Sequence, residues 1–195
     1  MVVLALIDES VIEVTRGQVY VIACALVVDS DSLADQRSRR LRQSVGGIVS
    51  DRSRPFRWSK EGVNKKSMML DLAVSEGLFV AAAVGSPRSR RLQRAGRAEC
   101  LIAVCELLAR EGVTGVVIES RQMQDEDDVE TLHRATKQGR LPHAFPEPEF
   151  HGKEEQLLWL PDAVAGAVRE AETGSETKWL EKLVANDAIL DVIRP

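Results

Sequence analysis

Long apolar runs along the chain predict buried strands. Val2–Ile7 is continuously apolar and rich in β-branched residues, and Val19–Val28 is a longer run that follows the turn-like segment Thr15–Gly17. Runs of this kind are typical of strands that are covered on both faces. We therefore predict a hairpin of two buried strands, followed later in the chain by strands at Leu78–Val84 and Val113–Ile118.

Apolar residues at helical spacing predict the helices. Ser30, Asp31 and Ser32 are candidate caps for the first of them. In the last, an interior Pro161 would cost about 3 kcal/mol, so we predict that this helix begins near 158–160, which leaves Asp162 in its first turn. The predicted helices are a short basic one within 29–44, 63–76 ending at Gly77, 86–112, a solvated acidic one at 124–137, and 158–170.

The order of these elements predicts one α/β domain. Two strands are followed by helix, strand, helix, strand and helix, and 195 residues suffice for a single core. We expect one domain over residues 1–195, in which 171–195 form a C-terminal helical extension. The apolar face from Trp179 to Ile193 is expected to pack on the protein's own core or to join a second copy in a homodimer.

The charge is distributed unevenly although the net charge is only −4. Residues 36–97 contain 15 basic and 4 acidic side chains. Such a region is either a mixed solvated surface or a surface for a polyanion. The longest apolar run, Val19–Val28, is too short to span a bilayer, and Val2–Ile7 lacks the basic lead of a signal peptide, so we expect a cytoplasmic protein. Three cysteines within apolar segments are predicted core residues.

The candidate chemistry is acidic. The chain has no GxGxxG after a strand and no GxxxxGK[ST], GxSxG or HExxH motif. Asp8 and Glu119 each follow an apolar strand, and Asp162 begins a helix rich in small residues. If these elements share one sheet, the three carboxylates converge and would suit Mg²⁺ or Mn²⁺, although acids at strand ends are most often solvated.

Four segments together resemble the family called domain of unknown function 3800, which is similar in fold to RNase H-like nucleases. They are Ile7–Ser10, Phe56–Lys60, Ile118–Glu119 and Leu157–Ala167. The resemblance implies an RNase H-like mixed sheet flanked by helices, with Asp8 and Asp162 as metal ligands and Glu119 at the family's late acidic position. Glu9 also matches the family.

The chain departs from the family pattern at three positions. Val11 stands where the family has glycine, Pro161 replaces an alanine, and Arg57 lies near the position of a glutamate. Glu61 and Glu154 are candidate substitutes for that acid.

The resemblance implies a nuclease that hydrolyses phosphodiester bonds with Mg²⁺ or Mn²⁺. Asp8, Glu119 and Asp162 would be catalytic, with His151 as a candidate proton donor. The predicted contacts to nucleic acid are Arg52, Arg54, Arg57, Trp58, Lys60, Lys65, Lys66, Arg88, Arg90 and Arg91. Trp58 could stack on a base, although such a tryptophan more often simply packs.

Two other functions fit the same sequence. One is a noncatalytic module on this scaffold that binds nucleic acid or a protein. The other is a small-molecule phosphatase, but Ser10 stands where aspartyl-phosphate enzymes have a second aspartate.

Overall fold

A six-stranded mixed sheet runs through the centre of the protein, in the strand order β5-β4-β1-β2-β3-β6. The strands are β1 Val3–Val14, β2 Gly17–Val28, β3 Phe79–Gly85, β4 Gly115–Glu119, β5 Pro148–His151 and β6 Ile189–Ile193. The computed structural model describes residues 3–14, 17–30, 32–49, 54–86 and 90–195, without the side chains of Arg90, Arg91 and Leu190.

Helices cover both faces of the sheet. One apolar core joins the sheet to α1, α2, α5 and α6, and a second core joins its other face to α3 and α4. This is the predicted α/β architecture. No helix in the described ranges is long and apolar enough to cross a membrane. The helices are α1 Gln36–Ile48, α2 Val63–Ser75, α3 Arg90–Arg110, α4 Asp125–Lys137, α5 Trp159–Glu172 and α6 Lys178–Ala185.

Strand β1 extends beyond its apolar run. The predicted hairpin is confirmed, and its ladder continues as far as Val14 opposite Gly17. The parallel ladder with β4, by contrast, pairs residues only up to Ile7 opposite Ile118. After Ile7, β1 has no strand of the described residues paired to it on the β4 side. The polar residues Asp8, Glu9 and Ser10 follow there in its sequence. The acids at 8 and 9 therefore lie within a strand and not after its end.

Alternation along β1 sends its side chains to different cores. Leu4 and Leu6 pack into the core under α5, whereas Ala5 and Ile7 pack into the core under α3. Because successive side chains of a strand point to opposite faces, Asp8 faces α5 and Glu9 faces α3. This alternation separates two neighbouring acids that the sequence placed together.

Several predicted boundaries change in the structure. Helix α1 is capped by Asp35, whose Oδ1 accepts from Ser38 N at 2.7 Å, and not by Ser30 or Ser32; Asp31 lies outside the described residues. The acidic helix α4 is not solvated all round, since Asp128 and two apolar side chains are buried. The extra strand β5 has no counterpart in the prediction.

The C-terminal segment differs from the expected helical extension. Helix α6 is followed by β6, which pairs in parallel with β3 at the edge of the sheet. The start of α5 at Trp159, with Pro161 in its first turn, is as predicted. The three cysteines are buried, also as predicted.

Helix α5 approaches Trp58 so closely that only glycine fits at the contact. A Cβ on Gly166 would lie 2.2 Å from Trp58 Cγ, and Trp179 packs edge-on against the same indole with ring centroids 5.6 Å apart.

We expect Gly166→Ala to lower the free energy of unfolding by about 1–3 kcal/mol through overpacking, as measured by urea unfolding. Gly47→Ala is the matched control, because nothing lies within 4 Å of its added Cβ. It should be neutral or stabilise by up to about 1 kcal/mol. Equal stability of the two variants would contradict this tight contact.

Candidate active site

Three carboxylates from distant parts of the chain line one pocket of about 240 Å³. Asp8 lies in β1, Glu119 ends β4 and Asp162 lies in the first turn of α5. The register that pairs Ile7 with Ile118 makes the next two residues, Asp8 and Glu119, neighbours on the face below α5. The sequence-predicted convergence of these three side chains is therefore present in the structure.

The Asp162 carboxylate is oriented by the segment that precedes α2. Its Oδ2 accepts a hydrogen bond from the backbone N–H of Trp58 at 2.9 Å. The indole Nε1 of Trp58 donates to Glu170 at 2.7 Å, which ties the same residue to a later turn of α5. Trp58 thereby positions the carboxylate through its backbone.

Asp8 and Glu119 lie side by side, and each carboxyl group influences the pKa of the other. Burial raises the pKa of Asp8 well above its ordinary value, and the contact with Glu119 raises it further. Burial also acts to raise the pKa of Glu119, but the hydrogen bond from Asp8 and the charges of Arg121 and Lys153 outweigh it and lower that pKa. The pKa values of these two neighbouring carboxyl groups are thus shifted in opposite directions.

Asp162 is the second acid of the pocket whose pKa is raised. Burial raises its pKa to about 6; the hydrogen bond from Trp58 opposes the shift and the charge of Glu119 adds to it. Perturbed carboxyl groups that line one cleft are typical of functional sites.

Two cations that the sequence did not single out neutralise this cluster. Arg121 lies 3.5 Å from Asp8 Oδ1, 3.4 Å from Glu119 Oε2 and 3.2 Å from Glu9 Oε1. Lys153 Nζ lies 3.1 Å from Glu119 Oε1. The position of Arg121, two residues after the strand-end acid, was the available signal, because a residue there stays beside the end of the sheet.

The donor set fits a hard divalent ion by its chemistry, since carboxylate oxygens are the ligands that Mg²⁺ and Mn²⁺ prefer. As the side chains are oriented, no group of three acids, histidines or cysteines among the described residues forms a ready-made metal site. Arg121 contacts Asp8 and Glu119, and Lys153 contacts Glu119, so these oxygens are engaged by cations of the chain.

Glu9 also lines the carboxylate pocket and contacts Arg121, but its side chain takes part in a further ion network on the α3 face of the sheet. Its Oε2 accepts from Arg97 Nε at 2.6 Å, and the same guanidinium pairs with Asp128. All three side chains are almost fully buried. This ion network is typical of a structural role, and the role of Glu9 as a metal ligand stays a prediction.

His151 lies on β5 in register with Glu119, at the outer edge of the sheet. Its Nε2 is 3.4 Å from Glu149 Oε2, and the residue does not line the carboxylate pocket. Its role as a proton donor stays a prediction.

Two of the predicted nucleic-acid contacts are engaged in packing. Trp58 is 1% exposed, so its ring offers no face on which a base could stack. Lys66 Nζ lies 2.7 Å from Glu170 Oε1 and 4.6 Å from the centroid of the Trp58 ring. These two residues hold α2 against α5, which corrects their assignment from sequence.

The remaining basic candidates whose side chains are described, Arg54, Arg57, Lys60 and Lys65, lie before or within the first turn of α2. Arg57 lines the carboxylate pocket, Lys60 is exposed, and Arg54 and Lys65 both contact Glu61. Helix α3, which carries Arg90 and Arg91, covers the opposite face of the sheet, although those two side chains are not described. Arg52 and Arg88 lie outside the described residues.

Comparisons with known proteins identify the fold. No protein-family model matches the sequence, so membership of the domain of unknown function 3800 is not shown, and no curated protein matches it. The structure is similar to RNase HII in the solved PCNA:RNase HII complex from Archaeoglobus fulgidus. The TM-score is 0.54 at 18% identity, with 88% of this chain and 73% of that chain covered. The chain is therefore an α/β protein with an RNase H-like fold.

Proposed function

We propose that this protein is a divalent-metal-dependent nuclease that hydrolyses phosphodiester bonds. The observation that supports this most strongly is the meeting of Asp8, Glu119 and Asp162 in one pocket on an RNase H-like sheet. Gathering buried carboxylates raises the free energy of the fold unless a cation or a proton compensates them. Such an arrangement favours a function that uses those oxygens.

Asp8, Glu119 and Asp162 would hold Mg²⁺ or Mn²⁺. The bound ion would lower the pKa of a water and stabilise the charge that develops on the leaving oxygen. For these side chains to bind it, Asp8 would have to be ionised, and Arg121 and Lys153 would have to turn away from the carboxylate oxygens they contact.

Cations at the rim of the pocket suit the phosphate group of a substrate. Arg57, Lys153 and Arg169 line the pocket together with the acids. Arg169 Nη1 donates to Ser10 Oγ at 2.8 Å, which fixes its guanidinium beside β1. Guanidinium and ammonium groups contact phosphate oxygens independently of base sequence, so these residues would position the scissile group.

A noncatalytic nucleic-acid-binding module is the second candidate. It is favoured by the ion pairs of Arg121 with Asp8 and Glu119, which neutralise the acids without any metal. In that case the carboxylates would serve only the stability of the fold.

Cleavage of a panel of single- and double-stranded DNA and RNA distinguishes the two. We expect cleavage with Mn²⁺ or Mg²⁺, none with EDTA, and loss of cleavage in Asp8→Asn and Asp162→Asn. Asp127→Asn, an exposed acid on the other side of the sheet, should cleave normally. Mn²⁺ should also raise the melting temperature of the wild-type protein but not of Asp8→Asn. Salt-sensitive binding of the panel without cleavage or a Mn²⁺ shift would establish the second candidate.

A further inference from the structure

Helix α1 carries a cluster of arginines outside the carboxylate pocket. Its 13 residues include four arginines and no acid. Arg42 is held in a bidentate pair with Glu155, and Arg37 donates to the carbonyl of Glu76. Arg39 and Arg40 are exposed, and neither has a carboxylate within ion-pair distance among the residues that the structure describes. A helix with this composition has a strongly positive surface.

The helix borders a groove that is lined by hydrogen-bond donors. Arg39, Gln43 and Gly46 are spaced at i, i+4 and i+7 and therefore share one face of α1. With Arg42 and Gln156 they line the groove; no carboxylate is among these lining residues, and the Glu155 carboxylate is paired with Arg42. A Cβ on Gly46 would lie 3.0 Å from Gln156 Oε1, so the glycine lets the Gln156 amide lie against the helix.

The groove and the carboxylate pocket lie on the same face of the sheet. The short 3₁₀ helix Gln156–Leu158 contacts α1 and runs directly into α5. Gln156 lines the groove, whereas Lys153 and Leu158 line the pocket. One short segment of chain therefore separates the two.

We propose that this groove, bordered by Arg39, Arg42, Gln43 and Gln156, binds the phosphate backbone of the nucleic acid whose phosphodiester occupies the pocket. The proposal rests on the proposed function and names the path of its substrate. Arginine binds phosphate oxygens through a planar fork of donors and retains its charge at all physiological pH values. None of the large exposed apolar side chains of the described residues lies on α1, so a protein partner would lack an apolar anchor there.

Fluorescence anisotropy with labelled short DNA and RNA oligonucleotides in EDTA tests the proposal. The variant Arg39→Gln/Arg40→Gln removes two positive charges from α1. The matched control, Arg94→Gln/Arg134→Gln, removes two from residues on α3 and α4 that are 91% and 59% exposed. We expect the α1 variant to bind about tenfold or more weakly at low salt. Because only Arg39 of the two lines the groove, the salt slope of this variant should fall by about 0.7 for single strands or about 0.9 for duplexes, whereas the control should keep the wild-type slope.

Equal losses in the two variants, or no loss in the α1 variant, would overturn the proposal. Binding to phosphatidylserine vesicles that depends on Arg39 and Arg40, without oligonucleotide binding, would also overturn it. Because binding is measured without metal, its outcome is independent of cleavage. If the wild-type protein cleaves but its oligonucleotide affinity does not depend on Arg39 and Arg40, only the proposed groove is refuted. If its affinity depends on these arginines but it does not cleave with Mn²⁺, only the proposed nuclease activity is refuted.

Discussion

Replacing Asp162 by asparagine should stabilise the metal-free protein at neutral pH. The pKa of Asp162 lies at about 6 instead of 3.8 because its carboxylate is buried beside Glu119. A shift of this size corresponds to roughly 2–3 kcal/mol of unfavourable free energy when the group is ionised. Asparagine removes the charge, and its side-chain oxygen can still accept from Trp58 N. Thermal unfolding in EDTA at pH 7 should show a gain of about 5–10 °C.

The gain should depend on pH with a definite sign. Between about pH 4 and 6 the folded protein retains the Asp162 proton while the unfolded chain releases it. The folded state therefore binds more protons, and the wild-type free energy of unfolding falls as pH rises through this window. The free energy of unfolding of the asparagine variant does not fall in this way. The variant should therefore be only slightly more stable than the wild type at pH 4 and show its full gain in stability at pH 7. Asp127→Asn should change stability by less than about 0.5 kcal/mol at both values. A gain that is equal at pH 4 and pH 7 would refute the ionisation of Asp162 as its cause.

Replacing Arg97 by methionine should destabilise the protein by about 3–5 kcal/mol. The guanidinium pairs with Glu9 and Asp128 in the core below α3, where its own side chain is 11% exposed. Burial acts against its charge, but the two carboxylates outweigh this effect and raise the pKa of Arg97. Removing Arg97 leaves Asp128 without its cation and Glu9 with Arg121 alone, and the loss of one partner from a buried ion network costs far more than the pair contributes on balance. Urea unfolding measures the difference.

Two further variants test that explanation. Arg94→Met alters the same helix one turn earlier, at a side chain that is 91% exposed, and should cost less than about 0.5 kcal/mol. Arg97→Met combined with Asp128→Asn leaves one fewer unpaired charge and should recover part of the lost stability. If the double variant is less stable than Arg97→Met, loss of packing rather than of charge compensation explains the effect.

Much of the fold follows from local rules. The apolar runs identified β1 to β4, and Pro161 placed the start of α5 because a proline is tolerated only in a first turn. Strand β5 was missed because it has only four residues and no apolar run, so pairing with β4 creates it. The apolar residues of β6 were assigned to a C-terminal helical extension, and pairing with β3 makes them a strand.

The sequence indicated the acids of the candidate site but not its cations. Asp8, Glu119 and Asp162 stand out because each follows or begins an apolar element. Arg121 and Lys153 lie in irregular segments, and only the folded chain brings them to the carboxylates. Their expected roles toward a metal or substrate stay predictions until cleavage is measured.

The sequence by itself determined the helices and main strands and the three acids that the fold gathers, because apolar periodicity, proline and strand ends act over a few residues. Only the tertiary structure decided that Asp8 and Glu9 face different cores and that basic residues close in sequence cover opposite faces of the sheet. Side-chain alternation and the choice of face for each helix depend on contacts between residues far apart in the chain.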